Sequence, residues 1–377
     1  MKITSIDVLQ LRNQAPSLDV GGGVHHPINL GSTLVRIHTD EGISGLGESI
    51  IPHASDDMLV GHIKSQLLRT LIGEDPLNSE ALWQRMWGGL YRLNGFARGI
   101  SAIDQALWDI KGKKAGLPVY SLLGGRAQDA LVAYATAPML RPDVDTLVAD
   151  VERLQSYGFQ IAKLVVGHGL AADIELVREV HKRVAGKIQL SMDANGGYDL
   201  PDAIAMGRAA APLGMLWFEE PLPWYDIHGL SELTRRIDVP TAGFQEEATI
   251  WRLREYLEHD ALAAYNVSVE IAGGVTVSQK MSAMIQAWGK RFVPHGFGPP
   301  IAFAAMLHVA IAYPNCGPIE FPVPDRSVAN PREWITAAHV ANRHEFAVDE
   351  RGLVRPPNRP GLGVELDEEA LEDLVVM

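Results

Sequence analysis

From about residue 130 onward this chain repeats one pattern: short apolar runs closed by a polar residue, separated by stretches of helical period. The runs are LVAYAT (131–136), IAKLVV (161–166), KIQLSMD (187–193), MLWFEE (215–220), VPTAGF (239–244), LAAYNVSV (262–269), RFVPH (291–295) and GPIEF (317–321). Alternating strands and helices imply a parallel sheet. Eight such units suit a (β/α)8-type barrel, whose active site lies at the C-terminal strand ends. The polar residues Lys163, Asp193, Glu219, Gln245, Ser268, His295 and Glu320 follow one another at separations of 23 to 30 residues. Each step is one strand-plus-helix unit, so these side chains are expected at similar height around one pocket.

The N-terminal part differs. Ile6, Val8, Leu9 and Leu11, then Thr33 to His38, alternate as strands do. Thr39-Asp40-Glu41-Gly42 is a tight-turn signal before a third strand ending near Gly47-Glu48, which makes a meander. The intervening segment, Gln14 to Gly31, carries Gly21-Gly22-Gly23 and His25-His26, and a loop of that length is expected to be functional or disordered. Residues 55–115 switch to a helical period, with Ile100, Ile103, Leu107 and Ile110 on one face of a helix and Asp104 and Lys111 elsewhere on its surface. Gly116-Leu117-Pro118 stops that helix. The expected division is a cap at 1–125, a barrel at 126–340 and a segment 341–377 that returns to the cap.

Composition narrows the partners. A net charge of −13 argues against nucleic acid or an anionic membrane. No window resembles a membrane span or signal peptide, and a single cysteine, Cys316, excludes an internal disulfide framework. A cytoplasmic protein with a small-molecule ligand is expected.

Asp193 and Glu219 end adjacent strands and could share a hard cation such as Mg2+; helix capping or rim solvation is the plainer reading. His295 is suited to proton transfer near neutral pH, or to a simple hydrogen bond at a strand end. Trp83, Trp87 and Trp108 read as cap core or a subunit interface.

Gly45-Leu46-Gly47-Glu48, the run Ser101-Ala102-Ile103-Asp104-Gln105-Ala106-Leu107-Trp108-Asp109-Ile110-Lys111-Gly112-Lys113, Leu122-Leu123-Gly124-Gly125-Arg126, Asp193-Ala194-Asn195, Phe218-Glu219-Glu220-Pro221, Gly273-Gly274-Val275-Thr276, Val293-Pro294-His295 and Pro360-Gly361-Leu362-Gly363 occur in this order. Together they resemble the enolase superfamily, within it the mandelate racemase group of acid-sugar dehydratases, epimerases and lactone isomerases. The resemblance implies a (β/α)7β modified TIM barrel with an α+β capping domain, Mg2+ on three carboxylates, a homo-oligomer, and proton abstraction beside a carboxylate. Asp193 and Glu219 then look like metal ligands, with Gln245 at the third ligand position. His295 is similar to the family's acid/base and Glu320 to the carboxyl that assists the intermediate. Lys163 matches the lysine that holds the substrate carboxylate. Asn195, Ser268 and the cap-loop His26 join Lys163 and Glu320 as expected substrate contacts.

Three positions depart from that pattern. Gln245 replaces a glutamate, lowering the ligand charge from −3 to −2 and weakening Mg2+ binding. Val165 replaces the second lysine of a pair, which removes one base. Ser268 replaces the aspartate that normally partners the histidine, so His295 is expected to be a weaker base. Glu246 or Glu247 could make good the first loss. Glu270, taken to lie on the same strand face as Ser268, could make good the third. The leading reading is an enzyme acting on a hydroxylated carboxylic acid or its lactone, with dehydration or lactone isomerisation favoured over racemisation. The alternative is a lapsed or metal-independent homologue that binds a small acid or lactone.

Overall fold

Ile3–Leu11, Ser32–Thr39 and Ser44–Ser49 pair antiparallel in sequence order, joined at Gly42, whose φ of 76° closes the turn onto Thr39. The computed structural model describes residues 1–12, 18–19, 27–28, 30–51, 56–90, 96–136, 143–323, 330–334 and 336–376. The long helix Arg98–Ala115 lies against this sheet. Contact is so close that a Cβ on Gly47 would stand 1.9 Å from the Ala102 carbonyl oxygen, and one on Gly45 2.1 Å from that of Ala106. Only glycine permits this approach, and Gln105 then bonds both backbone groups of Glu48.

The helix's other side meets the barrel. Asp104, off the apolar stripe, is fully buried as well. Its carboxylate accepts from Thr276 N at 2.8 Å and Thr276 Oγ1 at 2.6 Å. A helix clamped between two layers has no solvent face at that point. Trp108 donates to Thr276 on the same interface. Trp83 and Trp87 instead stack at 5.5 Å and extend to Trp251 on the barrel, so the three tryptophans do not form one cluster.

All eight expected runs contain a strand. Leu131–Thr136, Ile161–Val165, Gln189–Asp193, Phe218–Glu219, Thr241–Gly243, Ala264–Tyr265, Arg291–Phe292 and Ile319–Pro322 run parallel in chain order. The eighth pairs with the first, and a parallel bridge between Phe292 and Cys316 joins the seventh to the segment entering the eighth. This is a closed (β/α)7β barrel with an α+β cap. Tyr134, Ile161, Trp217, Ala242, Ala264 and Val293 fill its interior. The tail ties cap to barrel: Leu353–Val354 pairs with the first barrel strand, Leu362 N donates to Asp109, and Arg12 N donates to Leu374 O. Among the described residues no helix is long and apolar enough to cross a membrane.

Candidate active site

Strand ends deliver the predicted residues to one place. Lys163, on the second barrel strand, is buried beneath the mouth and holds three carboxylates with one ammonium: Asp193 at 2.9 Å, Glu219 at 2.8 Å and Glu320 at 2.9 Å. Burial opposes its charge, but the three acids outweigh it and push the Lys163 pKa well above the ordinary lysine value. The three carboxylates thus favour the charged form of Lys163. Each acid has further donors. Trp217 Nε1 donates to Glu219 Oε2 at 2.9 Å, Asn195 N to Asp193 Oδ1 at 2.9 Å, and Thr136 Oγ1 to Glu320 Oε1. Burial drives the Glu219 carboxyl up to about 8 against the pull of Lys163. Glu320 goes the other way: burial opposes, but Lys163 and His295 hold it down to about 2.

Gln245 follows the fifth strand and is buried. Its Nε2 donates to Glu220 Oε2 at 2.9 Å, leaving Gln245 Oε1 buried without a hydrogen-bond partner. Among the described residues no three His, Cys, Asp or Glu side chains are grouped to hold a metal ion. The orphaned Gln245 amide oxygen is a candidate for a third donor. An all-oxygen donor set of two carboxylates and one carbonyl fits a hard divalent cation. Glu246 and Glu247 are committed elsewhere: Glu246 pairs with Arg98 at 3.1 Å and Glu247 with Arg252 at 2.6 Å.

His295 follows the seventh strand. Its Nε2 lies 3.5 Å from Glu320 Oε2; its Nδ1 lies 3.3 Å from Ser268 Oγ and 3.6 Å from Glu270 Oε1. Burial disfavours the imidazolium, but Glu320 and Glu270 overcome it and raise the His295 pKa to about 9. Two carboxylates thus flank the ring where the sequence places Ser268 in the stead of an aspartate. Glu270 does not reach the ring by strand alternation, since the sixth strand ends at Tyr265 and Val269–Ala272 is a helical turn.

The geometry thus unites Lys163, Asp193, Glu219 and Glu320, with His295 beside Glu320, Ser268 beside His295 and Gln245 beside Glu220. Asn195 sits at the rim, in a left-handed conformation with φ of 46°. His26 lies outside the described residues. Thr136 and Trp217 went unremarked in the sequence, although both carried a signal. Thr136 ends the first strand 27 residues before Lys163, within the same period, and Trp217 precedes Glu219 by two on the same strand face.

Residues 25–124 match the mandelate racemase/muconate lactonizing enzyme N-terminal domain, and residues 146–370 the enolase C-terminal domain-like model. The chain belongs to the mandelate racemase/muconate lactonizing enzyme family. It is an enzyme of the enolase superfamily. It is 33% identical over 352 residues to a D-galactonate dehydratase of Variovorax paradoxus, covering 89% of each chain. It is 30% identical over 355 residues to a D-galactarolactone cycloisomerase of Agrobacterium fabrum, covering 90% of each. A racemase structure from Streptomyces coelicolor with bound magnesium superposes with a TM-score of 0.89 at 26% identity, covering 99% of this family member and all of that chain.

Proposed function

We propose that this enzyme removes water from a hydroxylated carboxylic acid of the acid-sugar class, or isomerises its lactone, with His295 as the proton-transfer group. The arrangement around His295 carries the reading: a buried imidazole with a carboxylate near each ring nitrogen, at the mouth of the barrel. Similarity to a galactonate dehydratase and a galactarolactone cycloisomerase supports the substrate class.

In its neutral form His295 takes the proton from the carbon next to the substrate carboxylate and passes it to the departing β-hydroxyl, which leaves as water. The resulting enol tautomerises to a 2-oxo acid. In a lactone the ring oxygen is the leaving group and receives the same proton. Lys163, always charged, exchanges one of its three carboxylate partners for that of the substrate. Glu320 stays ionised and keeps His295 cationic once it has accepted the proton. Asn195 and Ser268, with His26 from the cap, complete the substrate contacts. Asp193, Glu219 and Gln245 Oε1 would hold Mg2+, which when bound neutralises charge gathering on the substrate carboxylate as its neighbouring proton leaves. Val165 offers no second base, so racemisation, which needs two, is disfavoured.

We extend the proposal to a cytoplasmic homo-oligomer, supported by its lone buried thiol and the exposed Trp224, Tyr225 and Trp288. The test is a screen of aldonates and aldonolactones with and without Mg2+. Turnover of at least one acid sugar to a 2-oxo acid or isomerised lactone is expected; a folded protein inert on the whole panel contradicts the proposal.

A further inference from the structure

We infer that Glu270 is the positioning residue for His295, reaching from a helical turn the place that Ser268 is too short to fill. This deepens the reading of His295 as the proton-transfer group and rests on it. Ser268 Oγ makes only a long 3.3 Å contact with Nδ1, whereas Glu270 brings a carboxylate to 3.6 Å from that same nitrogen. The groups carrying charge near the ring are Glu270 from the 269–272 turn, Glu320 from the eighth strand and Lys163 from the second. Glu320 faces Nε2, so Glu270 is the carboxylate on the Nδ1 side. Holding Nδ1 protonated leaves Nε2 as the nitrogen that exchanges a proton with substrate.

Two further features show that the place is built for Glu270. Its backbone carbonyl accepts a 2.9 Å bond from Ser49 Oγ of the cap, which anchors the helical turn. Gly298 provides the room: a Cβ there would stand 2.8 Å from Glu270 Oε1 and 2.9 Å from Cδ. A short residue at 268, an acid at 270 and no side chain at 298 form one unit. The Glu270 carboxylate is buried, with Oε1 lacking any closer hydrogen bond, so its charge is directed at the imidazole.

The test is an NMR titration of His295 in the substrate-free protein, its signal assigned by His295→Asn. The wild-type midpoint should lie well above the ordinary histidine value, and Glu270→Gln should lower it by about one unit or more, the effect of a neighbouring carboxylate. Gly298→Ala should lower it as well by displacing that carboxylate. The double variant Ser268→Asp, Glu270→Gln should recover most of the loss, which a merely structural role for Glu270 would not allow. With a substrate in hand, Glu270→Gln should reduce kcat far more than it changes KM. An unchanged midpoint in Glu270→Gln, or in Gly298→Ala if the first variant does not fold, overturns the inference. The titration needs no turnover, so an inert wild type would overturn the functional reading while leaving this result readable.

Discussion

The two sides of the barrel mouth lost an acid each and answered differently. On the cation side, Gln245 stands where the resemblance to the family places a glutamate, and the next two glutamates in sequence are engaged with arginines. Glu246 is paired with Arg98 and Glu247 with Arg252, while Glu220 accepts from the Gln245 amide through Oε2 and keeps Oε1 buried without a hydrogen-bond partner. On the histidine side, Ser268 stands where an aspartate is usual, yet Glu270 delivers a carboxylate to the same nitrogen. Compensation therefore depends on more than a nearby acid in sequence. The acid must be uncommitted and must have room, which Gly298 provides on one side and two arginines deny on the other.

The largest expected effect comes from the residue that joins the two sides. Lys163→Met leaves Asp193, Glu219 and Glu320 buried without their cation, and breaking such a group costs roughly 3–5 kcal/mol. Denaturant melts should show the loss at pH 8 and a smaller one at pH 5, where Glu219 can protonate. Equal loss at both pH values would mean that packing, not charge, dominates.

Next is the pH dependence of the histidine side. The His295 pKa is raised in the folded state, so its contribution is complete below about 6.5 and disappears as pH rises through about 9. From 6.5 to about 9 that is roughly 3 kcal/mol at most. His295→Asn should flatten the stability profile over this window, measured as denaturation midpoint against pH. An unchanged slope would place the titration elsewhere.

On the cation side, Gln245→Glu should tighten Mg2+ binding by about tenfold or more, equal to about 1.4 kcal/mol, in a calorimetric titration. No change would remove residue 245 from the donor set. Arg98→Ala gives the smallest effect, under about 1 kcal/mol in stability for a pair half open to solvent. It should leave Mg2+ affinity unaltered. A gain there would make Glu246 a reserve ligand and erase the contrast between the two sides.

Much of this was legible in sequence because strand ends recur with the barrel's own period. That period placed Lys163, Asp193, Glu219, Gln245, Ser268, His295 and Glu320 at one mouth before any coordinates. It did not reveal that Lys163 binds three acids at once, since periodicity gives height around a barrel and not reach across it. The burial of Asp104 was not legible because an apolar stripe marks one buried face, and this helix has two. Glu270 was suspected for the wrong reason, since alternation ended with the strand at Tyr265 and a helical turn carried it inward. Gly298 carries no signal in sequence; its meaning is the volume it leaves for a side chain 28 residues earlier.

The central claim is proton transfer by His295 at the carbon next to a carboxylate. Acid sugars incubated in D2O with wild type and with His295→Asn, followed by proton NMR, test it most directly. The account predicts that wild type releases that carbon-bound proton during product formation, and that the variant slows the reaction by about 10²–10⁴-fold. Product formation at wild-type rate in a folded His295→Asn variant would contradict it.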